Sequence, residues 1–542
     1  MSPSSRDPPP DGAPRPWVLG FHPVALAVAA VHFAAGFTVL RRGQPAEGAY
    51  VLFRYANQLA AGRGITYYPT GPRAEGAGDF AWMIALAVGR VLGLDAALGA
   101  LLLNTLGAFL AATILASFLS RPGIRERWWA EAAPFLLLVS CSAAAGYLGF
   151  SSMLQGALAL YAYWLFVAGG PARTLALPPT ALLLGLFRPD SLLLGAGFAA
   201  LGLWQAHRLR LTPRYLRFLG AAVGVVAVYV LWRWRYFGHL LPLHARVEGE
   251  GPLPALRDCA SFLLGLAGPP LAVLLTAGLL LPRARRARYL PMALGLVPFG
   301  VHIGALGFGL ASPDVAFRAA SPALLPLSLF AVVVLATEAQ VSGWRGWIGG
   351  ALVLGWMAAP GVTRLIDAVR GSCADTYVER FAVQLARSVG RGDTLALTEP
   401  GRLAYWTDAR IIDLEGGNTP ETAVEAPTVA YLEGVAPDVV MLTVRDVRFG
   451  DGTQAVVPLE EPLDAYLARQ GQSADQGGAT GVTVEFLGRH RDEYDVYAVR
   501  VGEAVHHVYG VRRAFARAEV VEQLLVAAQT QAYQPYLSLP RP

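Results

Sequence analysis

Eleven stretches of this 542-residue sequence are each apolar over about the 20 residues of helix that cross a bilayer core. They fall at roughly 17–40, 96–119, 131–148, 152–169, 174–188, 190–206, 216–237, 259–281, 289–310, 319–337 and 344–363. Only 15% of the residues are charged, against about 25% in soluble domains, and 54% are apolar, so an ordinary soluble enzyme is excluded. The expected fold is a polytopic α-helical membrane protein with about 11 transmembrane helices. Residues 364–542 lose this pattern and predict a C-terminal soluble α/β domain.

Charge fixes the expected orientation. All 44 basic residues are arginine. Residues 1–363 hold 27 of them against 14 acids, whereas residues 364–542 hold 17 against 25. Arg121, Arg125 and Arg127 form one basic loop; Arg208, Arg210, Arg214 and Arg217 a second; Arg283, Arg285, Arg286 and Arg288 a third. With a disordered tail over 1–16 in the cytoplasm and Arg41-Arg42 closing an uncleaved first span, eleven crossings put all three clusters inside. The same count puts the acidic C-terminal domain outside, which predicts a multi-pass protein of the inner (cytoplasmic) membrane with that domain periplasmic. The apolar segment 80–94 is too short to span and carries Arg90, so it lies in the interface within one long external loop, 41–95.

That loop is the richest in polar groups. In "EGAYVLFRYANQLAAGRGITYYPTGPRAEGAGDFAW", Tyr50, Arg54, Asn57 and Gln58 share one side of a short helix, with Val51, Leu52 and Leu59 largely opposite. Gly62, Gly64, Pro69, Gly71 and Pro72 then turn the chain. On pattern alone, a solvated amphipathic connector is the alternative to a functional loop.

The segment resembles the first external loop of bacterial C-type glycosyltransferases, multi-span enzymes that use polyprenyl-phosphate sugars, and most of all the mycobacterial terminal arabinofuranosyltransferases. Phe53, Arg54, Tyr55, Ala56, Gly64, Glu75, Gly76 and Trp82 stand in the places of the family's pattern. Four further segments resemble it in order: "RPDS" at Arg188–Ser191; Arg233, Tyr236, Phe237, Gly238, Pro242 and Arg246; Asp314 with Arg318; and Asp393 to Gly416 in the tail. The resemblance implies transfer of a sugar from a polyprenyl-phosphate donor to an envelope glycan, lipid or protein on the outer membrane face. It puts Glu47 in the place of the catalytic base, with Asp314 in reserve. It puts Arg54, Tyr55, Glu75, Arg188, Asp190, Tyr236, His244, Arg246 and Arg318 in contact with substrate. Inversion by one displacement requires one carboxylate to take the acceptor proton and cations to hold the departing phosphate.

The chain also departs from the family. Its Asp-Asp becomes Glu47-Gly48, its Gly-Met-Glu-Thr becomes Ser152-Met153-Leu154-Gln155, and its Pro-Asn-Thr becomes Pro242-Leu243-His244. A non-catalytic scaffold descended from the enzyme is therefore one alternative, and a lipid-linked glycan transporter is another. The arginines, read one at a time, also serve as interfacial anchors.

No cofactor is expected, and the sequence leaves a divalent cation open. His239 and His244 lack a third ligand nearby, so no metal site is expected. With lysine absent and positive charge gathered in the inner loops, nucleic acid is not an expected partner. In the tail, "TLALTE", "ARIIDL", "DVVMLTV", "VTVEFLG" and "YDVYAVRVG" read as strands. "DTYVERFAVQLARSVG", "PTVAYLEG", "EEPLDAYLARQG" and "RAEVVEQLLVAAQTQAY" read as helices, and "RQGQSADQGGATG" as a surface loop. The expected role of this α/β unit is to cover the outer site.

Overall fold

The structure, a computed structural model, describes residues 23–42, 45–76, 78–119, 133, 149–239, 243, 252–306, 313–338, 344–371, 376–445, 456–469, 478–500 and 505–527. Helices occupy ten of the eleven apolar stretches; the stretch 131–148 lies outside the described residues except for residue 133. These ten are α1 (Pro23–Arg42), α4 (Ala96–Leu119), α5 (Ser152–Ala168), α6 (Pro171–Phe187), α7 (Ser191–Arg208), α8 (Thr212–Phe237), α9 (Pro252–Leu280), α11 (Leu290–Leu306), α12 (Pro313–Glu338) and α13 (Trp344–Gly371). Among the described residues, Pro23–Arg41, Ala96–Leu119 and Thr212–Phe237 are long and apolar enough throughout to cross a membrane, and shorter apolar helices surround them. Thr212–Phe237 exposes Val223, Val228, Leu231 and Trp234, an outward apolar face suited to lipid. Helix α13 continues past the charge break at residue 364 to Gly371, so the bundle's last helix carries the chain directly to the tail.

Small residues bring the helices together, as membrane helix packing requires. Gly107 of α4 faces the start of α5 so closely that an added Cβ would stand 2.6 Å from the Leu154 Cα. Asn104, a few residues away, donates to the Phe150 carbonyl (2.8 Å) and accepts from the Met153 amide (3.3 Å). Replacing Gly107 with Val should force α4 and α5 apart and cost about 1–3 kcal/mol. A lowered midpoint of thermal unfolding in detergent would register this, and an unchanged midpoint would refute the close approach.

Two of the three basic turns, Arg208–Arg217 and Arg283–Arg288, lie at the end of the bundle opposite the polar loop; Arg121, Arg125 and Arg127 lie outside the described residues. Helix α7 starts beside the loop at Ser191 and, after 18 residues and roughly 27 Å of rise, ends at Arg208. Tyr163, near the far end of α5, donates to the Met292 carbonyl (3.2 Å) and so anchors the start of α11 there. That contact holds the basic helix α10 (Arg283–Arg288) at the Arg208 end. Helix α12, whose final Glu338 pairs with Arg285, therefore begins at the loop end, near Asp314.

In the loop, α2 (Glu47–Ala60) and α3 (Phe80–Val91) frame the turns between them. Here a correction is needed. Helix α2 is not a half-solvated connector, since Tyr50, Leu52, Phe53, Arg54, Tyr55, Ala56 and Gln58 are all buried. The tail domain covers it. That domain holds a six-stranded sheet in the order β2-β1-β3-β6-β5-β4. Strands β1 (Thr394–Leu397), β2 (Arg410–Asp413) and β3 (Val439–Arg445) are parallel, and β4 (Val456–Pro458), β5 (Tyr494–Arg500) and β6 (Val505–Arg512) are antiparallel. Helices α14 (Thr376–Ser388), α15 (Gly401–Trp406) and α20 (Ala518–Ala527) flank the side facing the loop. One hydrophobic core runs from Tyr50, Phe53 and Trp82 through Tyr405 to Leu395, Met441 and Tyr509. On the other side of the sheet, α16 (Pro420–Val424), α17 (Val429–Val435), α18 (Leu463–Arg469) and α19 (Gly478–Arg489) follow in chain order.

Helix α19 overturns one strand expectation. "VTVEFLG" is helical because Thr483, Phe486 and Leu487 recur at helical spacing and are buried together, outweighing its β-branched composition. Strand β6 went unread because its His506-His507 interrupts the apolar alternation. Of the expected loop 469–481, residues 470–477 lie outside the described residues.

Candidate functional site

The segment 74–82 runs between the bundle and the tail, and the polar groups converge on it. Glu75 is fully buried and pairs with Arg233 of α8, whose Nη1 also donates to the Tyr229 hydroxyl (3.1 Å). Burial outweighs the guanidinium and pushes the Glu75 carboxyl up to about 7. A carboxyl raised into that range matches the pKa that a general base uses best near neutral pH. The neighbouring Gly76 amide donates to the Tyr55 hydroxyl (3.0 Å), and the Leu243 amide donates to the Glu75 carbonyl (3.1 Å).

Glycine is required at position 76. An added Cβ would collide with Gly417 and Asn418, the turn by which the tail presses on the loop. Asp413 builds that turn by accepting from the Asn418 amide group (2.7 Å) and the Glu415 amide (3.0 Å). Its own burial holds it up at about 6.

A second cluster lies one helical turn along. Asp79 precedes α3, is 3% exposed, accepts from the Ser151 hydroxyl (3.2 Å) and sits 3.7 Å from Arg188 Nε. Arg188 in turn grips Asp190 through Nε (3.1 Å) and Nη2 (2.6 Å), the fork geometry a guanidinium favours. Asp190 also accepts from the Ser191 amide (2.9 Å), and Gln155 donates to the Ser191 hydroxyl. Two carboxylates flank one arginine here, so the group is net negative and better suited to locking the loop onto α5 and α7 than to holding a phosphate. The Gln155 that replaces the family's acid belongs to this lock.

Tyr236 accepts from the Ile65 amide (3.0 Å) and carries Arg73 over its ring at 4.5 Å. Arg73 is exposed and has no acidic partner among the described residues, which makes it the cation best placed beside Glu75 to meet an anion.

Glu47, which the resemblance puts in the base's place, accepts from the Arg402 amide (2.8 Å) and pairs with the Arg402 side chain (3.2 Å). Its carboxylate ties the loop to the tail. Gly48 packs against Phe150, where an added Cβ would stand 3.2 Å from the ring, so the second acid of the family's pair would need that ring to shift by a few tenths of an ångström. Arg54 points away from Glu75, donating Nε to the Tyr67 carbonyl (2.8 Å) and Nη1 to the Tyr405 carbonyl (3.4 Å). Asp314 and Arg318 lie in the first turns of α12, with side chains outside the described residues, as are His244 and Arg246. Thus Tyr55, Glu75, Arg188, Asp190 and Tyr236 gather around segment 74–82, whereas Glu47 and Arg54 face the tail. Asp79, Arg73, Arg233 and Arg402 were not assigned from sequence; a cap position ahead of an apolar helix was the available sign for Asp79. Among the described residues, no three His, Cys, Asp or Glu side chains gather as metal ligands.

The fold has a known counterpart. The chain is similar to the crystal structure of ArnT from Cupriavidus metallidurans bound to undecaprenyl phosphate, with a TM-score of 0.52 over 90% of this chain and 97% of that one, at 14% identity. The apo state of ArnT matches equally, over 89% and 97% of the two chains. Residues 370–497 match a domain family described as a domain of unknown function (DUF8728). No curated protein matches the chain in sequence. The structural likeness therefore falls on ArnT and is one of fold, while the arabinofuranosyltransferase likeness stays with the sequence motifs.

Proposed function

We propose that the protein is a multi-pass membrane glycosyltransferase that moves a sugar from a polyprenyl-phosphate donor to an envelope acceptor. The observation that carries the reading is Glu75, a buried carboxyl raised to about 7, two residues along the chain from the exposed cation Arg73, in a fold similar to that of ArnT, whose crystal structure is bound to undecaprenyl phosphate. Orientation follows from the opposed ends of the bundle. Basic turns stay in the cytoplasm, so the N-terminus is cytoplasmic and the loop and tail face the periplasm.

In this mechanism the acceptor oxygen attacks the anomeric carbon and Glu75 takes its proton. The bond from that carbon to the phosphate oxygen breaks, and its electron pair leaves with the polyprenyl phosphate. Arg73 neutralises the departing anion, with Arg318 and Arg246, which the resemblance puts in contact with substrate, as further cations. Arg188 and Asp190 keep the loop in register on α7. Glu47 holds the tail closed over the site, and Asp314 is the reserve base. The donated sugar is a hexose or a pentose.

The scaffold reading draws on one observation, that the inherited base position is consumed by Arg402. Full-length protein in detergent, given polyprenyl-phosphate sugars, should release polyprenyl phosphate, detected by mass spectrometry. Arg73→Ala should raise the donor KM by about tenfold, the scale of a charged contact to phosphate. Absence of release with every donor, together with unaltered polyprenyl-phosphate binding by Arg73→Ala, would favour the scaffold.

A further inference from the structure

A second cavity, of about 720 Å³, opens between the loop and the tail. Its size is that of a small-molecule site. The walls are the second half of α2, the end of α3, the end of α14 and the turn after α15. Arg54, Arg63, Arg90 and Arg391 line it against one acid, Asp408, which stands 3.5 Å from Arg391.

Arg54 is 3% exposed, and burial draws its guanidinium down to about 10. Its Nη2 has no partner, and neither do the buried amide oxygens of Asn57 and Gln58 beside it. Buried polar atoms left so are costly and are normally satisfied. One unmet cationic donor with two unmet acceptors calls for a ligand carrying an anionic group and hydroxyls. The excess of arginine over acid favours that ligand over water.

Arg54 and Tyr55 diverge from adjacent positions. Tyr55 meets the Glu75 segment, and Arg54 faces the cavity. The two sites thus share a helix without sharing a pocket.

We propose that this cleft binds an acidic carbohydrate, bearing a carboxylate or a phosphate, through Arg54, Asn57 and Gln58, with Arg63 and Arg90 at its mouth. Its role as the port for the sugar acceptor rests on the transferase reading; its binding chemistry does not.

The test is titration of full-length protein in lipid nanodiscs, followed through Trp406 fluorescence, which lines the cleft. The probes are tetragalacturonate, a phosphorylated oligosaccharide and neutral maltotetraose. At least one acidic probe should bind about tenfold tighter than maltotetraose, and Arg63→Glu, an exposed charge reversal, should erase about that factor. Comparison of the two acidic probes identifies the anion. Arg54→Gln, with folding confirmed by thermal unfolding, should lose saturable binding. Equal binding of acidic and neutral probes, or no saturable binding by any, overturns the proposal, as does an Arg63→Glu variant that binds like the parent. Because this titration contains no donor, it stands apart from the polyprenyl-phosphate release assay: binding here with no release there would reject the transferase and keep the cleft, and release there without acidic-glycan binding here would reject the cleft alone.

Discussion

Glu75→Gln is expected to lower transfer by about 10³-fold, within the range a general base contributes, and also to lower the unfolding midpoint, because it leaves the buried Arg233 guanidinium without its carboxylate. Burial holds the Glu75 carboxyl up at about 7. The parent's turnover should rise with pH through about 7 as Glu75 ionises, and the residual activity of the variant should lose that rise. Glu47→Gln in parallel should weaken tail docking, seen as a lower unfolding midpoint, and spare most of the turnover. Full activity in Glu75→Gln with loss in Glu47→Gln would restore the family's base to its inherited place. The sign for stability is opposite to that for activity. A carboxyl raised on folding contributes its stability below its ordinary value near 4.5 and loses it as pH rises through about 7.

Arg233→Met should be the most destabilising of the site substitutions, and only when Glu75 is charged. Removing one partner of a buried ion pair leaves the other uncompensated, at a cost of about 3–5 kcal/mol. At pH 8 the unfolding midpoint should fall accordingly; near pH 5, where Glu75 carries a proton, most of the loss should vanish. The pH–activity rise should also move upward, because the guanidinium that favours the ionised form is gone. Arg233 is a positioning residue, and that displacement separates its action on Glu75 from simple misfolding. A pH-independent loss of stability would show that the pair is not ionic.

The membrane helices were legible because lipid demands apolar continuity over a fixed length, a local property of sequence. Glu75, Arg188 and Asp190 were legible as polar residues where the bundle's helices end. Their partnerships were not. Arg188 meets Asp190 two positions away, but Asp79 reaches it from far up the chain. Glu47 read as a base because position and residue type were the only signals; its partner Arg402 lies 355 residues on. Helix α2 was read as one-sided for the same reason, since Tyr405 and the rest of its cover come from the tail. The run 482–488 read as a strand because β-branched residues dominate it, and only burial revealed its helical stripe.

The core that joins Tyr50 and Phe53 to Tyr405 and Leu395 sets the order of biogenesis. The first loop emerges early in synthesis, yet its aromatic residues find their cover only after the final segments have been made. Until then they are exposed, and long-range closure of this kind is slow. The protein therefore stays incomplete throughout translation, and a chain cut short after the last membrane helix presents a sticky surface suited to recognition by quality-control proteases.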